Sequence, residues 1–140
     1  MAADGLVTVK SAFGPAETLN RLEAEVKGKG MTVFAQIDHA AGAAAAGLAL
    51  RPTTVVIFGA AKGGTPLMQS AQTIGIDLPL KALVWQDENG ATYLSYNDPA
   101  YLAGRHDAAG AMAEAAVHAL SSGLKAIADQ ATMSPQSPAR

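Results

Sequence analysis

A chain of 140 residues, 49% hydrophobic and 16% charged, is long enough to bury a core without staples and reads as a single globular domain. Ten basic and twelve acidic residues, scattered without runs, give a formal net charge of −2, which excludes the basic footprint of a nucleic-acid binder. The absence of cysteine excludes disulfides, thiolate nucleophiles, zinc–thiolate sites and iron–sulfur clusters together.

The opening "MAADGLVTVK" carries Asp4 where a secretory leader would be basic, and no long apolar core follows, so no leader is expected in the chain as given. No stretch of about 18 apolar residues free of Gly, Pro and charge occurs, so no membrane span is expected. The cytoplasm is the default compartment, with neither nucleic acid nor membrane as partner.

Leu6 to Lys10 alternates with β-branched residues and predicts a first strand. Gly14-Pro15 opens a helix, because proline suits the first helical position. Leu19, Leu22 and Val26 form its apolar stripe, and Gly28 and Gly30 end it. Met31 to His39 predicts a second strand, with Val33, Ala35 and Ile37 on one face and Phe34, Gln36 and Asp38 on the other. The alanine-rich stretch after it favours a short helix bounded by Gly42 and Gly47. From about Thr53, "RPTTVVIFG" is apolar on both faces and predicts a central strand. In "GGTPLMQSAQTIG" a helix is expected, with Thr65 as N-cap and Pro66 first. "LKALVWQDENGATYLSY" predicts a hairpin turning tightly at Asn89-Gly90. A short helical piece is expected in Asn97–His106, then a long helix from about Asp107 to Gln130, loosened at Gly123, with Val117, Leu120, Leu124 and Ile127 inward. The domain is thus expected to occupy residues 1–130, and the polar, proline-broken residues 131–140 to form a disordered tail.

The order predicts an α+β fold: one mostly antiparallel sheet with its helices on one face. Val55 and Ile57 alternate with Val56 and Phe58, and Leu83 and Trp85 with Leu80, Ala82 and Val84, so both sheet faces are apolar. Two helices cover one of them. A homodimer is expected to bury the other, because an uncovered apolar face exceeds normal exposed patches.

Asp38-His39 offers a carboxylate and an imidazole for acid/base or metal chemistry. On a regular strand they point apart, and the bland reading is that Asp38 caps the alanine helix while His39 is structural. His106-Asp107, after Arg105, reads as the start of the last helix. Nothing in the spacing demands that His39 and His106 share a metal with Asp38 or Asp107, since no His-x-His or His-x-x-x-His pair exists. No metal or cofactor is expected.

The loop Phe58–Pro66 joins an apolar strand to a helix start, where free backbone N–H groups can hold an anion, and Lys62 adds charge. It is not a P-loop: Lys62 precedes the Gly63-Gly64 pair, so the phosphate-loop pattern fails. A small anionic ligand at Gly59, Lys62, Gly63, Gly64 and Thr65 is weighed against a plain turn capped by Thr65. Tyr96, Asp98, Tyr101 and Arg105 could line a pocket mouth, although tyrosine hydroxyls and a surface arginine are more often structural. Glu114 and His118 read as a solvated pair. Ser11, Ser70 and Ser95 lack a nucleophile-elbow context.

The motifs Ile37-Asp38-His39, Phe58-Gly59, Gly64-Thr65-Pro66-Leu67-Met68, "IDLPL" (76–80) and "YNDPAYLAGRH" (96–106) occur in one order. On them the chain, from about Gly5 to Ser121, resembles the domain of unknown function 302 family. The resemblance implies a compact domain of strand–helix–four-strand–helix order, similar to TATA-binding-protein-like folds and often dimeric, without supplying an activity. Where the family has Asn-Pro after Phe-Gly, this chain has Ala60-Ala61, so a pocket shaped by that turn is expected to be altered. A dimeric small-ligand or anion-binding, regulatory module is the leading reading. Behind it stand a ligand-free interaction domain and an enzyme using Asp38, His39 and His106.

Overall fold

The computed structural model describes residues 3–134. Its elements in chain order are β1 (Leu6–Lys10), α1 (Pro15–Gly28), β2 (Thr32–Asp38), α2 (His39–Ala45), β3 (Thr53–Gly59), α3 (Ala61–Ser70), a 3₁₀ helix (Gln72–Asp77), β4 (Leu80–Gln86), β5 (Thr92–Asn97), α4 (Pro99–Arg105) and α5 (Ala111–Thr132). The five strands form one sheet in the order β1-β5-β4-β3-β2, antiparallel at every pairing. The expected α+β class and strand–helix–four-strand–helix order are both observed.

One sheet face carries the core. Val56, Phe58, Leu80, Ala82, Val84, Leu94 and Tyr96 point into it and meet Leu22 and Val26 of α1 and Leu124, Ile127, Ala128 and Ala131 of α5. A second cluster, Leu67, Ile74, Leu102 and Ala113, joins α3, the 3₁₀ helix, α4 and the start of α5. The opposite face presents Val55, Ile57, Leu83 and Trp85, all half-buried in the single chain, with Ile37 44% exposed toward one edge.

Four local expectations are corrected. In β2 the register against β3 shifts between Val33 and Ala35, so Phe34 is the extra residue of a bulge. Val33 then pairs with Phe58 on the core face, while Ala35 and Ile37 pair with Ile57 and Val55 on the open one, instead of all three sharing a face. The hairpin turn is longer than two residues: Gly90 N–H donates to Asp87 O at 3.1 Å, Gly90 has φ of 83°, and Asn89 keeps a negative φ. Asp87 Oδ1 stabilises that turn by accepting from the N–H groups of Asn89 and Ala91, each at 2.9 Å, which favours the three-residue loop over the primed turn.

Asp107 does not start the last helix. It has φ of 55°, and α5 begins at Ala111 after Gly110, then runs unbroken through Gly123. Its far end passes the expected boundary at 130, because Ala131 and Thr132 are buried and Thr132 O accepts from Ala12 N–H at 2.8 Å. Residues 135–140 of the expected tail lie outside the described residues. Among the described residues no helix is long and apolar enough to cross a membrane.

Candidate functional site

The glycine-rich segment is helix, not loop. Helix α3 starts at Ala61, and Thr65 and Pro66 sit inside it. Gly63 and Gly64 both direct their N–H groups to Ala60 O, at 3.0 and 3.3 Å, so they are not free to hold an anion. Their missing side chains serve packing. A Cβ on Gly63 would lie 3.1 Å from Leu120, and one on Gly64 3.3 Å from Leu78. Lys62 and Thr65 face solvent.

A cavity of about 250 Å³ opens beside this helix start. Its lining includes Gly59 to Ala61, Phe34, Leu120, Gly75, Leu78 and Pro79. Its walls are hydrocarbon, and Phe34 reaches it because the β2 bulge frees that residue from the ladder. Ala60, a lining residue at the N-cap of α3, supplies no capping side chain, so the first N–H groups of the helix lack a side-chain acceptor. Ala60 and Ala61 occupy the N-cap and first helical positions, where an asparagine would cap the helix and a proline would suit its start.

Flanking Gly75 in sequence, Thr73 and Asp77 belong to a polar network that the sequence did not announce. His106 Nε2 lies 2.6 Å from Asp77 Oδ2, and His106 Nδ1 lies 2.9 Å from Thr73 Oγ1. Arg105 Nη1 donates to both Asp77 oxygens, at 2.9 and 2.8 Å. Burial would raise the Asp77 carboxyl, but the His106 hydrogen bond, with the charges of Arg105 and His106, outweighs it and holds the group below its ordinary value. A carboxylate only accepts, so Nε2 carries a proton, and in the neutral ring Nδ1 accepts from the Thr73 hydroxyl. Hydroxyl, imidazole and carboxylate also align in nucleophilic sites, but there Nε2 faces the hydroxyl and Nδ1 the carboxylate. Here the ends are reversed, and Arg105 shares the carboxylate.

The other candidates disperse. Asp38 caps α2, accepting from Ala41 N–H at 2.9 Å, and His39 lines a shallow depression of about 550 Å³ on the open sheet face with Lys81, Leu83 and Trp85. The two imidazoles therefore sit in different surroundings. Tyr96 is a core residue; burial first, then Asp129 and Asp98, push its hydroxyl above its ordinary pKa against the opposing charge of Lys125. Asp98 caps α4 through Ala100 N–H at 3.0 Å, Tyr101 packs on Gly5, and Arg105 joins Asp77. Glu114 and His118 are exposed and share no ion pair among the described residues. Ser95 bonds Trp85 Nε1 at 2.9 Å and Thr8 at 2.8 Å, Ser11 bonds Thr18 at 2.7 Å, and Ser70 bonds Ala109 O at 2.9 Å. Asp77 itself stood inside the "IDLPL" motif; only its separation of 29 residues from His106 hid the pairing.

Fold and site define a small α+β domain with one covered sheet face, one open face and an apolar cavity at the β3–α3 junction. The chain belongs to the family described as "Domain of unknown function DUF302", whose pattern matches residues 7–127. The crystal structure of an uncharacterized conserved DUF302 protein from Bacillus stearothermophilus superposes with a TM-score of 0.82 at 25% identity, over 92% of this chain and 99% of that one. Two proteins called fluoride-specific ion channel FluC 1, from Brucella suis biovar 1 and Brucella abortus biovar 1, are each 50% identical to it over 119 residues. Those residues are 85% of this chain but 46% and 44% of the relatives, so the chain spans less than half their length.

Proposed function

We propose that this domain is a binding and regulatory module for a small amphiphile, an apolar body with an acceptor head group such as a carboxylate. The cavity carries this reading: hydrocarbon side chains line about 250 Å³, and Ala60 and Ala61, at the uncapped start of α3, are among the lining residues. Cavities of roughly 150 Å³ already hold benzene, so a ligand somewhat larger than one ring fits. N–H groups and the helix dipole favour a negative or acceptor head there. Native mass spectrometry of untagged, undialysed protein against a denatured control tests the reading. A reproducible extra mass lost on denaturation supports it. A bare mass, with no rise in melting temperature on adding short aliphatic or aromatic carboxylates, would sink it.

The module is proposed to work as a homodimer joined through the open sheet face, because Val55, Ile57, Leu83 and Trp85 form an apolar surface that a second copy would cover. The reducing cytoplasm suits a chain without cysteine. A second reading comes from the Brucella relatives, in which a similar segment belongs to a longer chain named as a fluoride channel. It places the domain as an accessory to small-anion transport and adds fluoride to the anions worth testing. A melting temperature indifferent to millimolar fluoride would remove it.

A further inference from the structure

We infer that His106 is the positioning residue of the cavity, stapling both ends of the 3₁₀ helix whose Gly75 lines it. The inference rests on the cavity being the ligand site. The 3₁₀ helix is six residues long, and little else holds it. Ile74 is its one fully buried side chain, while Gln72, Thr73 and Ile76 are exposed, Ile76 at 74%. Short segments with few buried contacts open at low free-energy cost, so polar bonds decide how often this one is closed.

The geometry concentrates those bonds on one ring. Thr73 lies near the start of the 3₁₀ helix and Asp77 at its end, and the two nitrogens of the His106 imidazole take one each. Gly75, between them, and Leu78, just beyond, are wall residues of the cavity. The ring is well placed to hold them. Its side chain is only 9% exposed, and it follows α4, anchored by buried Leu102 and Ala103. Arg105, from the same helix end, adds a second hold on Asp77, its Nη1 shared between the two carboxylate oxygens. No other titratable side chain is bonded to the ring among the described residues. Release of the imidazole therefore loosens the lining at Gly75 and Leu78 and weakens the hold on a ligand there. His106 acts through the wall, not on the ligand.

The test uses the whole chain with xenon as the cavity probe, since xenon enters dry apolar cavities. Thr73→Val removes one staple at an exposed position, Thr73→Ser restores the hydroxyl, and His106→Gln keeps one bond and loses the other. Hydrogen exchange is read at the Ile74 N–H, which donates to Ala71 O at 3.0 Å, and at its neighbours through Leu80. Exchange there should be about tenfold faster in Thr73→Val and His106→Gln, near wild type in Thr73→Ser, and unchanged across the sheet. Xenon binding, followed by ¹²⁹Xe magnetic resonance, should weaken in the same two variants. Unchanged local exchange and xenon binding in both would overturn the staple and leave the cavity reading standing. Failure of wild-type protein to take up xenon would overturn the cavity reading itself, and the positioning role with it.

Discussion

The carboxylate of Asp77 is gripped from two sides by consecutive residues: His106 Nε2 at 2.6 Å and Arg105 Nη1 at 2.9 and 2.8 Å. Its side chain is 17% exposed, so little water competes for it. The pair ties the end of the 3₁₀ helix to the end of α4, across a separation that no local pattern predicts.

That grip has a pH signature. The folded-state pKa of Asp77 lies below the ordinary value of 3.8, so its stabilisation is full above the ordinary value and is lost as pH falls through the lower, folded one. Asp77→Asn should lower the urea midpoint at about pH 7, and the deficit should shrink by about pH 3, where wild type is losing the same contribution. Parallel stability curves for the two proteins across that range would show that the network contributes nothing specific to the ionised carboxylate.

Ala60→Asn tests the uncapped end of α3. Asparagine at the N-cap accepts from the first-turn N–H groups, and good caps add about 0.5–2 kcal/mol over alanine. The melting temperature should therefore rise. If the same N–H groups hold the ligand head, carboxylate binding should weaken in this more stable protein. Stability and affinity rising together would show that the head group is not held there.

Much of the fold was legible because its signals are local. Alternation in Leu6–Lys10 and Thr92–Asn97, the stripe of Leu19, Leu22 and Val26, and the Pro15 start each need only neighbouring residues. What failed depended on tertiary context. The Phe34 bulge is set by pairing with β3, and nothing in "TVFAQID" marks it. Gly63 and Gly64 read as a flexible anion loop, but they lie in helix α3 where a Cβ would meet Leu120 and Leu78 tightly. At the site, His106 was singled out with the wrong neighbour: Asp107 adjoins it in sequence, yet Asp77 and Thr73 meet its ring.

The open sheet face predicts an assembly that can be broken. Leu83 sits mid-strand in β4, opposite Val55 of β3 and Ser95 of β5. Leu83→Glu would put an unpaired charge at the centre of any interface there. Light scattering at micromolar concentration should give a dimer for wild type and a monomer for this variant, with circular dichroism unchanged. A monomeric wild type would end the dimer reading. A variant that stayed dimeric would move the interface elsewhere.

Gly5 and Tyr101 offer a last prediction, outside the cavity. Gly5 has φ of 75°, in the left-handed region, and a Cβ there would collide with the Tyr101 ring. The same residue's carbonyl accepts from Asp98 N–H at 2.8 Å, so the chain before β1 docks on the start of α4. Gly5→Ala should cost about 1–2 kcal/mol for the backbone conformation, and more for displacing the ring. Tyr101→Ala removes the obstacle but not the backbone cost. The double variant should therefore lose less stability than the two single losses combined, with a coupling of about 0.5–3 kcal/mol by urea denaturation. Strict additivity would mean that the ring moves aside freely and that Gly5 is required for its backbone angle alone.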